Sequence, residues 1–109
     1  MKLKFSEMEE KHLPNFNGGE GVFYANMYVD EKMKILRGKL VPGASIGLHR
    51  HVPTSEVIFI LEGVGTAFCN GKQEDLQAGD CHYCPKGSEH TLQNTGEKDL
   101  LFYAVVPQQ

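Results

Sequence analysis

The stretch Gly43-Ala-Ser-Ile-Gly-Leu-His49-Arg-His51-Val-Pro53-Thr54-Ser55-Glu56-Val-Ile-Phe-Ile-Leu61-Glu62-Gly63 decides how this chain is read. His49 and His51 stand two residues apart, and a strand turns alternate side chains to one face, so both imidazoles look the same way. Pro53 and Thr54 mark a turn. Ser55 to Leu61 is then a β-branched and aromatic run that ends at Gly63. A hairpin there is expected to return Glu56 beside the two histidines. Downstream, Gly79 to Asn94 offers a short strand, a turn at Pro85-Lys86-Gly87, and a second strand carrying His90 toward the same interior. Three imidazoles and one carboxylate suit Fe(II), Mn(II), Ni(II) or Zn(II), with coordination positions left open for water or substrate. A lone histidine on a strand is more often a satisfied polar residue, which is the reading for His12 and His82.

Working outward, strands are expected near residues 22–29, 33–41, 45–51, 55–62, 64–69, 73–77, 80–84, 89–94 and 99–106. They are separated by Asp30-Glu31, Pro42-Gly43, Pro53, Gly63, Asn70-Gly71, Ala78-Gly79, Pro85 to Gly87 and Gly96. Asn70-Gly71 is the strongest single hairpin signal. Close, regular spacing without helical periodicity means an all-β protein, an antiparallel jelly roll or small barrel. Residues 1–20 read as an irregular or partly strand-like N-terminal arm, and residues 21–109 as a single barrel domain. Glu56, Ile58 and Ile60 share one face of their strand, and Val57, Phe59 and Leu61 the other. Both faces are apolar, so the outer one calls for a second sheet, the arm or a partner subunit. By parity Ser45, Gly47, Ile58, Ile60 and Leu92 fall on the ligand face, a narrow, mostly apolar lining that suits a small organic acid, a keto acid or an aromatic ring better than a polymer.

The chain has 109 residues and a net charge of −3. That length makes one core. The charges are scattered, so no basic patch points to nucleic acid. No apolar run approaches the length that crosses a bilayer, and the N-terminus lacks a signal-peptide apolar region, so the expectation is a cytoplasmic protein without membrane binding. Three cysteines argue against a disulfide framework. Cys81 and Cys84 form a C-x-x-C whose sulfurs a strand would place on opposite faces; they and Cys69 read as buried small hydrophobes.

Gly43 to Gly63 resembles the first cupin motif, and Gly79-Asp-Cys-His82-Tyr-Cys-Pro85-Lys-Gly87-Ser-Glu-His90-Thr-Leu-Gln-Asn94 resembles the second. The 15 residues between Gly63 and Gly79 match the short spacing of small one-domain cupins. The resemblance implies a double-stranded β-helix with one divalent transition metal per chain (Fe, Mn, Ni or Zn) on His49, His51, Glu56 and His90. It also implies a homodimer. Glu56 is present where thiol dioxygenases of the superfamily usually lack a carboxylate, which disfavours thiol oxidation. Because the superfamily holds many activities, function has to come from the site. The reading is a mononuclear metal enzyme of dioxygenase, isomerase or decarboxylase type, an oxidoreductase in the first case, acting on a small organic acid or oxygenated metabolite, with a carboxylate-bearing small molecule as the expected ligand. The alternative is a non-catalytic, metal-containing binding module. Tyr24, Tyr28, Tyr83, Tyr103 and His82 are candidate proton donors. Asn94 is read as a structural hydrogen-bonding residue.

Overall fold

The computed structural model describes residues 1–109. Ten strands follow in order: β1 (Glu10–Pro14), β2 (Val22–Val29), β3 (Met33–Leu40), β4 (Ser45–Arg50), β5 (Glu56–Glu62), β6 (Val64–Cys69), β7 (Lys72–Gln77), β8 (Cys81–Cys84), β9 (Glu89–Asn94) and β10 (Leu100–Pro107). Single 3-10 turns lie at Phe5–Glu7 and Phe16–Gly18. A six-stranded sheet runs β1-β2-β3-β10-β5-β8 and a four-stranded sheet β4-β9-β6-β7. Every pairing is antiparallel. This is the expected all-β jelly roll.

The core fills the space between the sheets, with Phe23, Leu40, Ile58, Leu92, Leu100 and Phe102 at its centre. Alternation sends His90, Leu92 and Asn94 of β9 inward together. In β5 it sends Glu56, Ile58 and Ile60 inward and leaves Phe59 and Leu61 on the outside, 47% and 36% exposed. Asn94 ties the layers: its Nδ2 donates to the carbonyls of Leu40 (2.7 Å) and Lys98 (2.8 Å), and its Oδ1 accepts from the Gly96 amide. That is the structural role expected for it.

Three expectations need correction. The chain between His51 and Ser55 is not a hairpin turn: β4 pairs with β9 and β5 with β8 and β10, so this segment crosses from one sheet to the other. Glu56 therefore meets the histidines across the layers. Second, the β4–β9 register shifts between Ile46 and His49, a bulge that breaks simple alternation. Ile46 is buried as a result, while the Ser45 hydroxyl accepts from the Glu20 amide. Gly47 sits where a Cβ would run into the Asn17 carbonyl and the Gly19 amide, so only glycine lets β4 approach the 16–19 turn so closely. Third, Cys81 is exposed and Cys69 half-buried; of the three thiols only Cys84 is buried. Cys81 and Cys84 do point to opposite faces. Burial pushes the Cys84 thiol up to about 12.

The inner face of β3 carries one glycine, Gly38, opposite Phe102 of β10. The Phe102 and Phe23 rings stack at 5.9 Å and occupy the space its side chain would take. Gly38→Ala is expected to destabilise the protein by roughly 1–3 kcal/mol through overpacking, although alanine is the better strand former. Urea unfolding measures this, and an unchanged midpoint would mean that the rings yield freely.

Candidate metal centre

The four expected ligands come together. His49 lies near the end of β4, His51 opens the crossing between sheets, Glu56 begins β5, and His90 pairs with His49 across β4–β9. Turn hydrogen bonds fix His51 from both sides: its amide donates to the Ser88 carbonyl (2.9 Å), and its carbonyl accepts from the Gly87 amide (2.7 Å). One donor atom from each residue lies within 4.8 Å of all the others. His90 Nε2 is 3.0 Å from His51 Nε2, 3.1 Å from His49 Nε2 and 2.9 Å from Glu56 Oε1. His51 Nε2 is 3.0 Å from Glu56 Oε1, whereas His49 Nε2 is 3.9 Å from it.

These separations can be compared with coordination polyhedra. Bonds of about 2.1 Å give neighbouring donors about 3.0 Å apart in an octahedron and about 3.4 Å apart in a tetrahedron, with opposite octahedral vertices about 4.2 Å apart. Four separations match the octahedral edge, and the His49–Glu56 distance approaches that of opposite vertices. The four donors therefore lie close enough for one divalent transition-metal cation to be held among them. Lone-pair direction agrees for His49: its Nδ1 donates to the Gly47 carbonyl (2.8 Å), leaving a bare Nε2 in the neutral ring facing the centre. His51 Nδ1 meets Thr54 Oγ1 at 2.8 Å.

The charges respond to one another. Burial disfavours the ionised Glu56 carboxylate, but the surrounding imidazoles of His49, His51 and His90 outweigh it and hold its pKa well below the usual range. Burial also opposes charge on His49, yet Glu56 and the Gly47 carbonyl raise its proton affinity above that of an ordinary imidazole. At His90 burial wins, and its pKa is lowered despite Glu56.

A cavity of about 210 Å³ opens over His49, His51 and Glu56. Its apolar wall is Phe16, Phe23, Met27, Leu36, Ile46 and Val106, and its only other charged group is Lys34. Ile58, Ile60 and Leu92, expected in the lining, belong to the core beneath it, and Ile46 takes the place expected of Ser45 and Gly47. Sequence reading missed Lys34, which faces the cavity from β3, because parity alone does not tell which end of a strand reaches the site. Lys34 takes part in none of the fold's ion pairs, and its charge opposes protonation of His49 only weakly, against the larger raising effects of Glu56 and the Gly47 carbonyl. None of the four tyrosines lines this cavity. Tyr28 donates to Asp30 at the surface, Tyr24 packs beside His12 under Lys39, and Tyr83 and Tyr103 are exposed. His82, by contrast, is fully buried against His90. A larger open groove of about 540 Å³ beside Asp75 and Asp80 holds none of the candidate ligands.

Comparison with known proteins agrees with this geometry. The family model described as Cupin domain matches residues 36–106. An oxalate-binding protein of Thermotoga maritima is 38% identical over 112 residues, covering 97% of this chain and 93% of that one. A 5-nitrosalicylic acid 1,2-dioxygenase of a Bradyrhizobium species is 34% identical over 64 residues, which span 59% of this chain and 30% of that protein. Among solved structures, one from Thermotoga maritima described as a predicted oxalate decarboxylase superposes with a TM-score of 0.94 at 34% identity over the full length of both chains.

The shift at Glu56 sets the sign of an acid effect in protein stripped of metal by chelation. A folded-state pKa below the unfolded one contributes stability above the unfolded carboxylate range, and that stability is lost as pH falls through the lowered folded value. Carbon-detected NMR titration is expected to find Glu56 ionised at pH values where the surface carboxylates are already protonated. Titration alongside them would contradict this assignment of charge.

Proposed function

The chain belongs to the cupin family, and we propose that it holds one divalent transition metal on His49, His51, Glu56 and His90 and uses it to bind a small dicarboxylate such as oxalate. The observation that carries this reading is the convergence of the four donors beside a cavity. They would hold one cation among them, and because the cavity opens over His49, His51 and Glu56, coordination positions not taken by the chain would face it. Adjacent positions suit a ligand offering two oxygens at once. Bound there, a divalent cation such as Mn(II), Fe(II) or Ni(II) would supply the Lewis acidity that holds those oxygens.

The side chains do the rest. The apolar side chains narrow this cavity to about 210 Å³, a size that suits a small ligand. Lys34 offers an unpaired ammonium to the negative charge that remains on a dianion. The relative described as an oxalate-binding protein supports the ligand class. Apart from the proposed ligands, Lys34 is the only titratable side chain in this wall, and Asp30 and Arg50 line an adjoining cavity of about 330 Å³ that shares His49, His51 and Lys34; so few acid–base groups favour binding over turnover. A second reading, a metal-dependent dioxygenase or decarboxylase, draws on the same open positions, which can also hold substrate and dioxygen side by side. Oxygen uptake or carbon dioxide release by metal-loaded protein separates the two.

Two finer proposals concern assembly and compartment. Phe59 of β5 lies beside Tyr103 of β10, and Val57 beside Tyr83 of β8, on an outer face touched within the chain by Phe5 at 5.5 Å from Tyr103. A second copy packed on this face would give a homodimer. Its expected signature is a sedimentation mass twice that of the chain, reduced to the monomer by Phe59→Arg. Three unbridged cysteines fit a cytoplasmic location, and no helix is long and apolar enough to cross a membrane.

Elemental mass spectrometry tests the metal reading. Close to one metal per chain is expected in wild type and none in His90→Ala, with the β-sheet circular dichroism of both alike. A variant that kept full metal content would overturn the ligand assignment. Calorimetry tests the ligand: Lys34→Met is expected to weaken oxalate binding roughly 10-fold or more without changing metal content. Equal affinity in the variant would remove Lys34 from the site.

A further inference from the structure

Behind His90 stands a second pair of polar residues that metal ligation itself does not require. β8 alternates, with Cys81 and Tyr83 outward and His82 and Cys84 inward, so His82 lies between the sheets with no exposed surface. Its ring lies edge to edge with that of His90 in nearly the same plane, at a centroid distance of 5.2 Å and an interplanar angle of 14°. Its Nε2 is 2.9 Å from His90 Nδ1, and its Nδ1 is 2.7 Å from Glu74 Oε1 on β7. β7 is the edge strand of the smaller sheet; Leu76 on its inner face packs into the core, and Glu74, two residues before it on the same face, is a half-exposed carboxylate that reaches toward His82. The three side chains thus run from solvent to the metal centre and bridge the two sheets.

The direction of these hydrogen bonds follows from valence. An ionised carboxylate only accepts, so His82 Nδ1 donates to Glu74. A neutral imidazole has one N–H, so His82 Nε2 must accept, and the donor it meets is His90 Nδ1–H. His90 Nε2 is then left with its lone pair aimed at the centre, among His49, His51 and Glu56. We propose that Glu74 and His82 are positioning residues for the metal centre: together they fix the tautomer and the ring orientation that make His90 a ligand. This rests on the metal reading above and adds to it two residues outside the ligand set. An apolar side chain would fill the same core position without needing two hydrogen-bond partners; the imidazole is there because it transmits the carboxylate's demand for a proton to His90.

Two measurements test it. Long-range proton–nitrogen correlation spectra of metal-free protein read the protonated ring nitrogen directly, and Nδ1–H is expected on both His82 and His90. Glu74→Gln, at a half-exposed position that tolerates the change, lets a side-chain amide donate to His82 Nδ1 and reverses the chain. His90 is then expected to show Nε2–H, and metal affinity to fall about 10-fold or more, with His82→Leu in the range of 10- to 100-fold. Glu74→Asp, which keeps the carboxylate, is expected to recover most of the loss. Wild-type His90 protonated on Nε2, or Glu74→Gln binding metal within twofold of wild type, would overturn the proposal. In the latter case wild type still loads metal, so the centre stands and only the positioning role falls. Should wild type take no metal, the nitrogen spectra alone decide, Nδ1–H on both rings upholding the tautomer lock and any other pattern removing it.

Discussion

Four electron-pair donors held within hydrogen-bonding distance of one another, in a nearly dry space between two sheets, are the constraint around which this molecule is arranged. Three ring nitrogens and a carboxylate so placed repel unless protons or a cation stand among them. Protons answer only in part: Glu56 and the Gly47 carbonyl raise the proton affinity of His49, while burial lowers that of His90. A divalent cation satisfies all four at once. The mutual shifts of Glu56 downward and His49 upward are what the cluster does with charge when its own members are the only counterions.

Holding such a cluster together falls to the backbone. The ligands come from both sheets, and the crossing from His51 to Ser55 is clamped by Ser88 and Gly87 on one side and by Pro107, whose carbonyl accepts from the Ser55 amide, on the other. The Arg50 guanidinium also donates to the Gly87 carbonyl and pairs with Glu89 at 3.4 Å, joining the first ligand strand to the turn that precedes His90. Asn94, four residues beyond His90, anchors β9 to the ends of β3 and the following loop. The bulge in β4 keeps His49 turned inward while Gly47 lets the 16–19 turn close over one side of the cavity. A small open space with one wall of metal ligands, apolar residues around it and a single free ammonium is the outcome.

The four residues that cluster were legible in the sequence because their meaning lies in short spacings: two histidines two apart, a carboxylate after a turn, and a fourth donor framed by a proline turn. Alternation was equally readable in β5 and β9, where nothing interrupts the pleat. It failed in β4, where the bulge exchanged the roles of Ser45 and Ile46, and at residues 51–55, where a turn signal does not say whether the chain folds back or changes sheet. β1 went unassigned as a distinct strand because Glu10, Lys11 and Pro14 carry edge character and little alternation. Most of the cavity wall comes from β2, β3 and β10, far from the motifs in sequence, so neither Lys34 nor Val106 announced itself. His82 illustrates the other limit. Alone on its strand it reads as a satisfied polar residue, and so it is, but its partners are Glu74 and His90, and only the packing of β7, β8 and β9 brings them into line.

The central claim is a divalent metal held on three imidazoles and one carboxylate with positions open to a small dicarboxylate. X-ray absorption at the metal edge of the loaded protein, with and without oxalate, measures it most directly. The account predicts only nitrogen and oxygen neighbours at about 2.1 Å, outer-shell scattering from three imidazoles, and on adding oxalate a carbon shell from a chelate ring. A spectrum without imidazole scattering, or a neighbour at about 2.3 Å marking sulfur from Cys69 or Cys84, would contradict it.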